Sequence, residues 1–251
     1  MRVISSMFLM LVTVAMLALS VPAFASEMDN RIESTARRSY VFRTYLQADD
    51  IKVKSMDGIV ALTGTVSEES HKSLAQETIA GLPGVKSVDN RLEVKGAAPT
   101  ANSDAWIRDK VKATLLFHRS VIGSKTEINV KDGIVTLGGE ATSQAQKDLT
   151  TEYVKDVEGV KDVSNEMTVI RTSTKTRTVG EKIDDASITA QVKMTLLYHR
   201  STSALHTSVT TKRGVVTLSG KASNAAELNL ATRFANDVNG VKAVKNQMTI
   251  E

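Results

Sequence analysis

The feature that most constrains this chain is a pattern that occurs three times. Asp57-Gly58-Ile59-Val60-Ala61-Leu62-Thr63-Gly64 reappears as Asp132-Gly133-Ile134-Val135-Thr136-Leu137-Gly138-Gly139, a shift of 75 (133 − 58). It returns as Arg213-Gly214-Val215-Val216-Thr217-Leu218-Ser219-Gly220 after a further shift of 81 (214 − 133). The same shifts carry Gly84-Val85-Lys86-Ser87-Val88-Asp89-Asn90 onto Gly159-Val160-Lys161-Asp162-Val163-Ser164-Asn165 and Gly240-Val241-Lys242-Ala243-Val244-Lys245-Asn246. Residues 103–170 and 184–251 are identical at 31 of 68 aligned positions, so the third unit is a close copy of the second. Self-similarity at these two spacings makes each copy one structural unit. The units are residues 28–95, 103–170 and 184–251, joined by linkers at 96–102 and 171–183.

Each unit reads as α-β-β-α-β. In the second, Ile107, Val111, Leu115 and His118 make one face of a helix from Asp104 to His118. Ile128 to Lys131 and Ile134 to Gly139 flank Asp132-Gly133, a two-residue turn that needs positive φ at both positions. Arg213-Gly214 is the weaker turn of the third unit. A second helix is expected after the N-cap candidates Ser67, Thr142 and Ser223. Its apolar face carries Leu149, Tyr153 and Val157. It should end near Gly84, Gly159 or Gly240, where glycine suits a left-handed cap. A last strand runs from Val160 to Val169, with equivalents in the other units. The fold class is α+β: three tandem small αββαβ sandwiches, each with two helices on one face of a small sheet.

The recurring glycines, Gly58, Gly64, Gly84, Gly133, Gly139, Gly159, Gly214, Gly220 and Gly240, sit at turns and caps. They form no phosphate loop, since no Gly-x-Gly-x-x-Gly or Walker pattern is present. The chain has no cysteine, which excludes disulfides and thiolate chemistry. His118-Arg119-Ser120 recurs as His199-Arg200-Ser201, with Arg43-Thr44-Tyr45 in the first unit. The expected role is a cation at the carbonyl end of the first helix. No histidine pair has metal-ligand spacing in the sequence, and no carboxylate pair recurs in all units. No catalytic residue, cofactor site or metal site is expected, and the chain reads as non-enzymatic.

Ahead of the units, Met1-Arg2, an apolar stretch to Leu19, Pro22 and the triplet Ala23-Phe24-Ala25 have the order of a secretory signal peptide. Cleavage is expected after Ala25, with export to the periplasm.

The helix, the Asp-Gly-Ile/Val-Val-x-Leu-x-Gly hairpin, the second helix and Gly-Val-x-x-Val-x-Asn together resemble the BON domain in three copies. Unit 1 departs most, with Ala36, Tyr40 and Val41 where unit 2 has Val111, Leu115 and Leu116. The resemblance implies an αββαβ fold, a non-enzymatic role in the bacterial envelope, including under osmotic stress, and phospholipid or envelope-surface binding.

Two non-repeating features suit such contacts. Trp106, the only tryptophan, lies with Lys110 and Phe117 on a helix face away from the core, and suits a bilayer interface or protein hot spot. The second linker carries Arg171, Lys175, Arg177 and Lys182 against one acid, a strip that can be drawn to anionic lipid. Unit 1 has ten basic and ten acidic residues, unit 2 nine and eleven, unit 3 eight and five. An anionic surface should therefore meet the linker and unit 3. The expected partners are membrane phospholipid or envelope proteins, without nucleic acid or small-molecule substrate. A second possibility is a stress protein or chaperone in which three modules on polar linkers offer several weak faces at once.

Overall fold

The computed structural model describes residues 23–96, 99–121, 123–170, 182–202 and 207–251. The apolar stretch of the expected signal peptide lies outside these residues, and the cleavage site after Ala25 falls in the first turn of a helix. Among the described residues no helix is long and apolar enough to cross a membrane.

Unit 1 comprises α1 (Ala23–Arg38), α2 (Tyr40–Thr44), β1 (Asp50–Met56), β2 (Ile59–Val66), α3 (Glu69–Ala80) and β3 (Ser87–Val94). Unit 2 comprises α4 (Asp104–Phe117), β4 (Thr126–Lys131), β5 (Ile134–Ala141), α5 (Gln144–Lys155), β6 (Asp162–Asn165) and β7 (Thr168–Val169). Unit 3 comprises α6 (Asp185–Tyr198), β8 (Thr207–Lys212), β9 (Val215–Ala222), α7 (Ala225–Asp237), β10 (Ala243–Asn246) and β11 (Thr249–Ile250). In each, the hairpin is antiparallel and the last strand adds parallel to the hairpin's second strand. This is the αββαβ plan that the spacing predicts. Asp57, Asp132 and Arg213 all take φ of 54°, followed by glycine near 80°, so the turn form survives the arginine.

Three local expectations are corrected. The second helix is capped by Ser143 and Asn224, one residue after Thr142 and Ser223, and by Glu68 without a side-chain bond. The preceding strands keep Ala141 and Ala222 in register, so the cap falls later. Gly159 and its equivalents do have positive φ, but α5 already ends at Lys155. Their turn instead presses onto the first helix of the unit: a Cβ on Gly159 would lie 3.0 Å from Ile107. The last strand is continuous only in unit 1 and is split in units 2 and 3.

The first helix of unit 1 is also broken. Ser39 ends α1 and caps α2, its hydroxyl donating to the Ala36 carbonyl at 2.8 Å and accepting from the Phe42 amide. The equivalent positions in the unbroken helices are Thr114 and Thr195.

The units are not separate modules on linkers. Units 2 and 3 share one continuous apolar core. A second core joins unit 1 to Ala113 and Phe117 of α4 and to Ala186, Ala190, Met194 and Tyr198 of α6. Helix α6 is therefore buried on opposite faces, by Ile188, Val192 and Leu196 toward its own unit and by the alanines and Met194 toward unit 1. A helix apolar or small all round is a buried one.

Candidate functional site

The residues that recur in all units hold the fold. Asp29, Asp104 and Asp185 stand at the same position of the first helix. Each carboxylate accepts from the two amides of its own hairpin turn: Asp57 and Gly58, Asp132 and Gly133, Arg213 and Gly214, at 2.7–3.0 Å. The Ser55 hydroxyl and the Gly58 amide hold the Asp29 carboxyl below its ordinary range. The asparagine of the third motif works likewise. Asn90, Asn165 and Asn246 each donate to a second-helix carbonyl, of Lys72, Lys147 and Leu228, at 2.9–3.1 Å. Each also accepts the amide two residues on. These single aspartates escaped the search for recurring carboxylate pairs. The 75 and 81 shifts that align the glycines also align these aspartates and would have found them.

The surface candidates fare unequally. Phe117 is not a contact residue: it is 2% exposed. It packs edge-to-face on Tyr45 of unit 1, with ring centroids 5.5 Å apart. The face judged free from helix periodicity is covered by a neighbouring unit. Trp106 is half-buried against the shared core. Lys110 lies over its ring at 3.7 Å and pairs with Glu158 at 2.7 Å. The Lys110 side chain is only 14% exposed, so its charge is already matched. Arg171, Lys175 and Arg177 lie outside the described residues.

Lys182 is exposed, and it has company. It lines an open hollow of unit 3 with Arg213 and Lys242, beside Asp184 and Asp185. Both carboxylates are engaged. Asp184 caps α6 through the Ser187 amide and accepts the Tyr40 amide of unit 1; Asp185 holds the turn. The equivalent hollow of unit 2 has one cation, Lys161, among Asp104, Asp132 and Glu158.

The largest departure concerns the recurring histidines. His118 and His199 are buried, with Nε2 atoms 3.2 Å apart. They join units 2 and 3 as a near-twofold pair. His118 Nδ1 bonds Asp237 of unit 3 at 3.1 Å; His199 Nδ1 bonds Asp156 of unit 2 at 3.0 Å. His118 stacks on Tyr153 and His199 on Phe234, each at 4.0 Å. The flanking backbone is exchanged in the same symmetric way: the Arg119 amide donates to the Asp237 carbonyl and the Arg200 amide to the Asp156 carbonyl. The side chains of Arg119 and Arg200 cover the Asn236 and Val241, and the Lys155 and Val160, carbonyls.

The expected open helix-end placement is thus corrected for His118, which is enclosed between units 2 and 3. Burial lowers its pKa, outweighing the opposing pull of Asp237. Burial alone would raise Asp237, but hydrogen bonds from His118, Ser120 and Tyr153 hold it below the ordinary carboxylate range. Among the described residues no group of three or more histidines or acids is arranged to hold a metal.

Three copies of one αββαβ unit, locked by repeated Asp-turn and Asn-helix bonds, define a tandem α+β repeat protein. The BON domain family matches residues 28–96, 103–171 and 184–251, and the chain belongs to that family. It is 34% identical over 145 residues to osmotically-inducible protein Y of Escherichia coli (strain K12), covering 58% of this chain and 71% of that protein. It is 31% identical over 141 residues to the uncharacterized protein in the gshII 5' region of Anaplasma centrale, covering 56% and 90%. Among solved structures it is similar to CdsD, a structural protein of the type III secretion system of Chlamydia trachomatis, at 16% identity with a TM-score of 0.25. That match covers 84% of this chain and 90% of that one, and so loose a superposition bears no argument.

Proposed function

We propose that this protein is a non-catalytic binding protein of the periplasm, acting in osmotic stress, and that it meets anionic phospholipid surfaces through unit 3. The observation that carries the proposal is the hollow of Lys182, Arg213 and Lys242, three cations against Asp184 and Asp185, where the equivalent hollow of unit 2 sets one cation against three acids. A cluster of cations near an anionic surface contributes about 1 kcal/mol for each charge brought close to it. The basic second linker adds to the same side of the sequence. Likeness to an osmotically inducible protein supports the stress setting.

Co-sedimentation tests this reading with phosphatidylglycerol and phosphatidylcholine vesicles at low and high salt. The chain should pellet with the anionic vesicles at low salt only. The variant Lys182→Glu, Arg213→Glu, Lys242→Glu should stay in the supernatant while keeping its fold. Equal recovery from both vesicle types overturns the lipid assignment.

A further inference from the structure

We propose that the buried His118–His199 pair is a binding site for a single proton, and that this proton ties unit 2 to unit 3. The interface forms a chain of three contacts: Asp237 to His118 at 3.1 Å, His118 to His199 at 3.2 Å, and His199 to Asp156 at 3.0 Å. Each contact needs one hydrogen between its two atoms. Ionised carboxylates only accept, and two neutral imidazoles bring one hydrogen each. Two hydrogens cannot fill three contacts. With both Nδ1 atoms donating to the carboxylates, the Nε2 atoms face each other as bare lone pairs. A third hydrogen, taken from solvent, completes the chain as Nδ1–H to each carboxylate and Nε2–H to Nε2. The three contacts thus call for three ring hydrogens on the pair.

The surroundings suit one proton and oppose a second. From α7, Asp237 faces His118, and it also accepts from Tyr153 of α5 at 2.7 Å and from Ser120. From the end of α5, Asp156 faces His199 and accepts from Ser201. Two carboxylates therefore bracket the pair. Their charge is partly matched by Arg119, 3.7 Å from Asp237, and Arg200, 3.9 Å from Asp156. Arg233 of α7 also acts on Tyr153. A second proton would set two imidazolium rings against each other at 3.2 Å, in a place from which solvent is excluded. Burial and the neighbouring ring both depress His118. The pair should titrate in two steps that belong to it jointly.

Unit 1 lacks every part of the device. Arg43 stands for the histidine, Gly81 for the aspartate and Thr78 for the stacked ring. The proton site belongs to the joint of units 2 and 3 alone.

The test is an NMR titration of the full chain labelled with ¹⁵N-histidine. The expected result is a pH interval in which His118 and His199 together carry three ring hydrogens, both on Nδ1 and one shared by the Nε2 atoms. The thermal stability of units 2 and 3 should peak in that interval. On either side it should fall by up to about tenfold in the folding equilibrium per pH unit, the limit for one proton. Two ring hydrogens throughout the range where the joint is intact, or both rings protonating together, overturns the proposal. Asp156→Asn separates proton binding from simple pairing. Its amide can donate to His199 Nδ1, which lets His199 donate from Nε2, so three contacts are filled without the extra proton. That variant should keep the joint and lose the alkaline flank of the stability curve. An unchanged alkaline flank argues against the site. If the variant fails to fold, the hydrogen count in the unaltered chain decides.

Discussion

Units 2 and 3 meet each other differently from the way unit 1 meets both, although all three share one fold. The joint of units 2 and 3 is nearly reciprocal: unit 3 returns what unit 2 offers, except that Phe234 has no hydroxyl to match the Tyr153 bond to Asp237. A histidine at the end of the first helix reaches an aspartate at the end of the partner unit's second helix, twice. That self-complementary arrangement is the one found in symmetric dimers, here built within a single chain. Unit 1 has no such partner. It docks by helix faces, with the Tyr40 and Val41 amides donating to Asp184 and Ser187, and with Tyr45 set against Phe117 and Gln191. Gly81, in place of the aspartate, brings α3 close: a Cβ there would sit 3.3 Å from Ala186. The fold of a repeat tolerates change at these positions, whereas its choice of neighbour depends on them.

The sharpest way to break this contrast is Asp237→Ala. It strands His118, Ser120 and Tyr153, and removing one partner of a buried charged network costs about 3–5 kcal/mol. Chemical denaturation should show that loss in units 2 and 3; a change below about 1 kcal/mol would mean that apolar burial alone holds the joint. On unit 1's side, Met194→Ala empties a fully buried position of the second core and should cost roughly 3 kcal/mol. The loss should appear as separation of unit 1, read by hydrogen exchange in α3, with the β8–β9 hairpin unaffected. Ser39→Ala removes the cap of α2 and should cost about 1 kcal/mol, seen in the melting temperature. The ion pairs Lys112–Glu68 and Lys193–Glu77 bridge unit 1 to its neighbours at 2.6 and 2.7 Å but lie near solvent. Lys112→Ala or Lys193→Ala should each cost under about 1 kcal/mol and less in high salt.

Acid sharpens the comparison. Burial and the neighbouring ring lower His118, so a second proton on the pair is resisted, and the stability of the joint is lost as pH falls below the ordinary imidazole pKa of about 6.5. Asp237 is also held low, so its contribution is present above the ordinary carboxylate range and is lost at still lower pH. Both signs agree. The joint of units 2 and 3 should loosen before that of unit 1, whose contacts Tyr40–Asp184, Val41–Ser187, Glu68–Lys112 and Glu77–Lys193 use no imidazole. Hydrogen exchange at the Arg119, Arg200 and Tyr40 amides, corrected for intrinsic pH dependence, would show the order. Simultaneous release would remove the distinction.

Within a unit, most of the structure is legible in the sequence because it rests on local signals. Asp132-Gly133 dictates its turn, the Ile107–Val111–Leu115 spacing its helix, and Val135 and Leu137 the inward side of their strand. The boundary errors at Thr142 and Gly159 came from elements that compete for the same residues. The binding face was less legible. Phe117 and Trp106 were placed outside by the periodicity of one helix, which cannot count a second layer packed on it. The Lys182 hollow needed Arg213 and Lys242 brought together from two different turns.

The sequence by itself determined the number of units, their αββαβ order and the turns and caps that shape them, because those depend on residues near one another in the chain. Tertiary structure decided which unit lies against which, that α6 is enclosed on both faces, and that two histidines 81 positions apart share one buried contact. A helix's periodicity shows that a face is apolar or polar. Only packing shows what covers it, and a histidine's role follows from that cover: at an open helix end it would face the last carbonyls, but enclosed by a carboxylate, an aromatic ring and its own counterpart it becomes half of a joint.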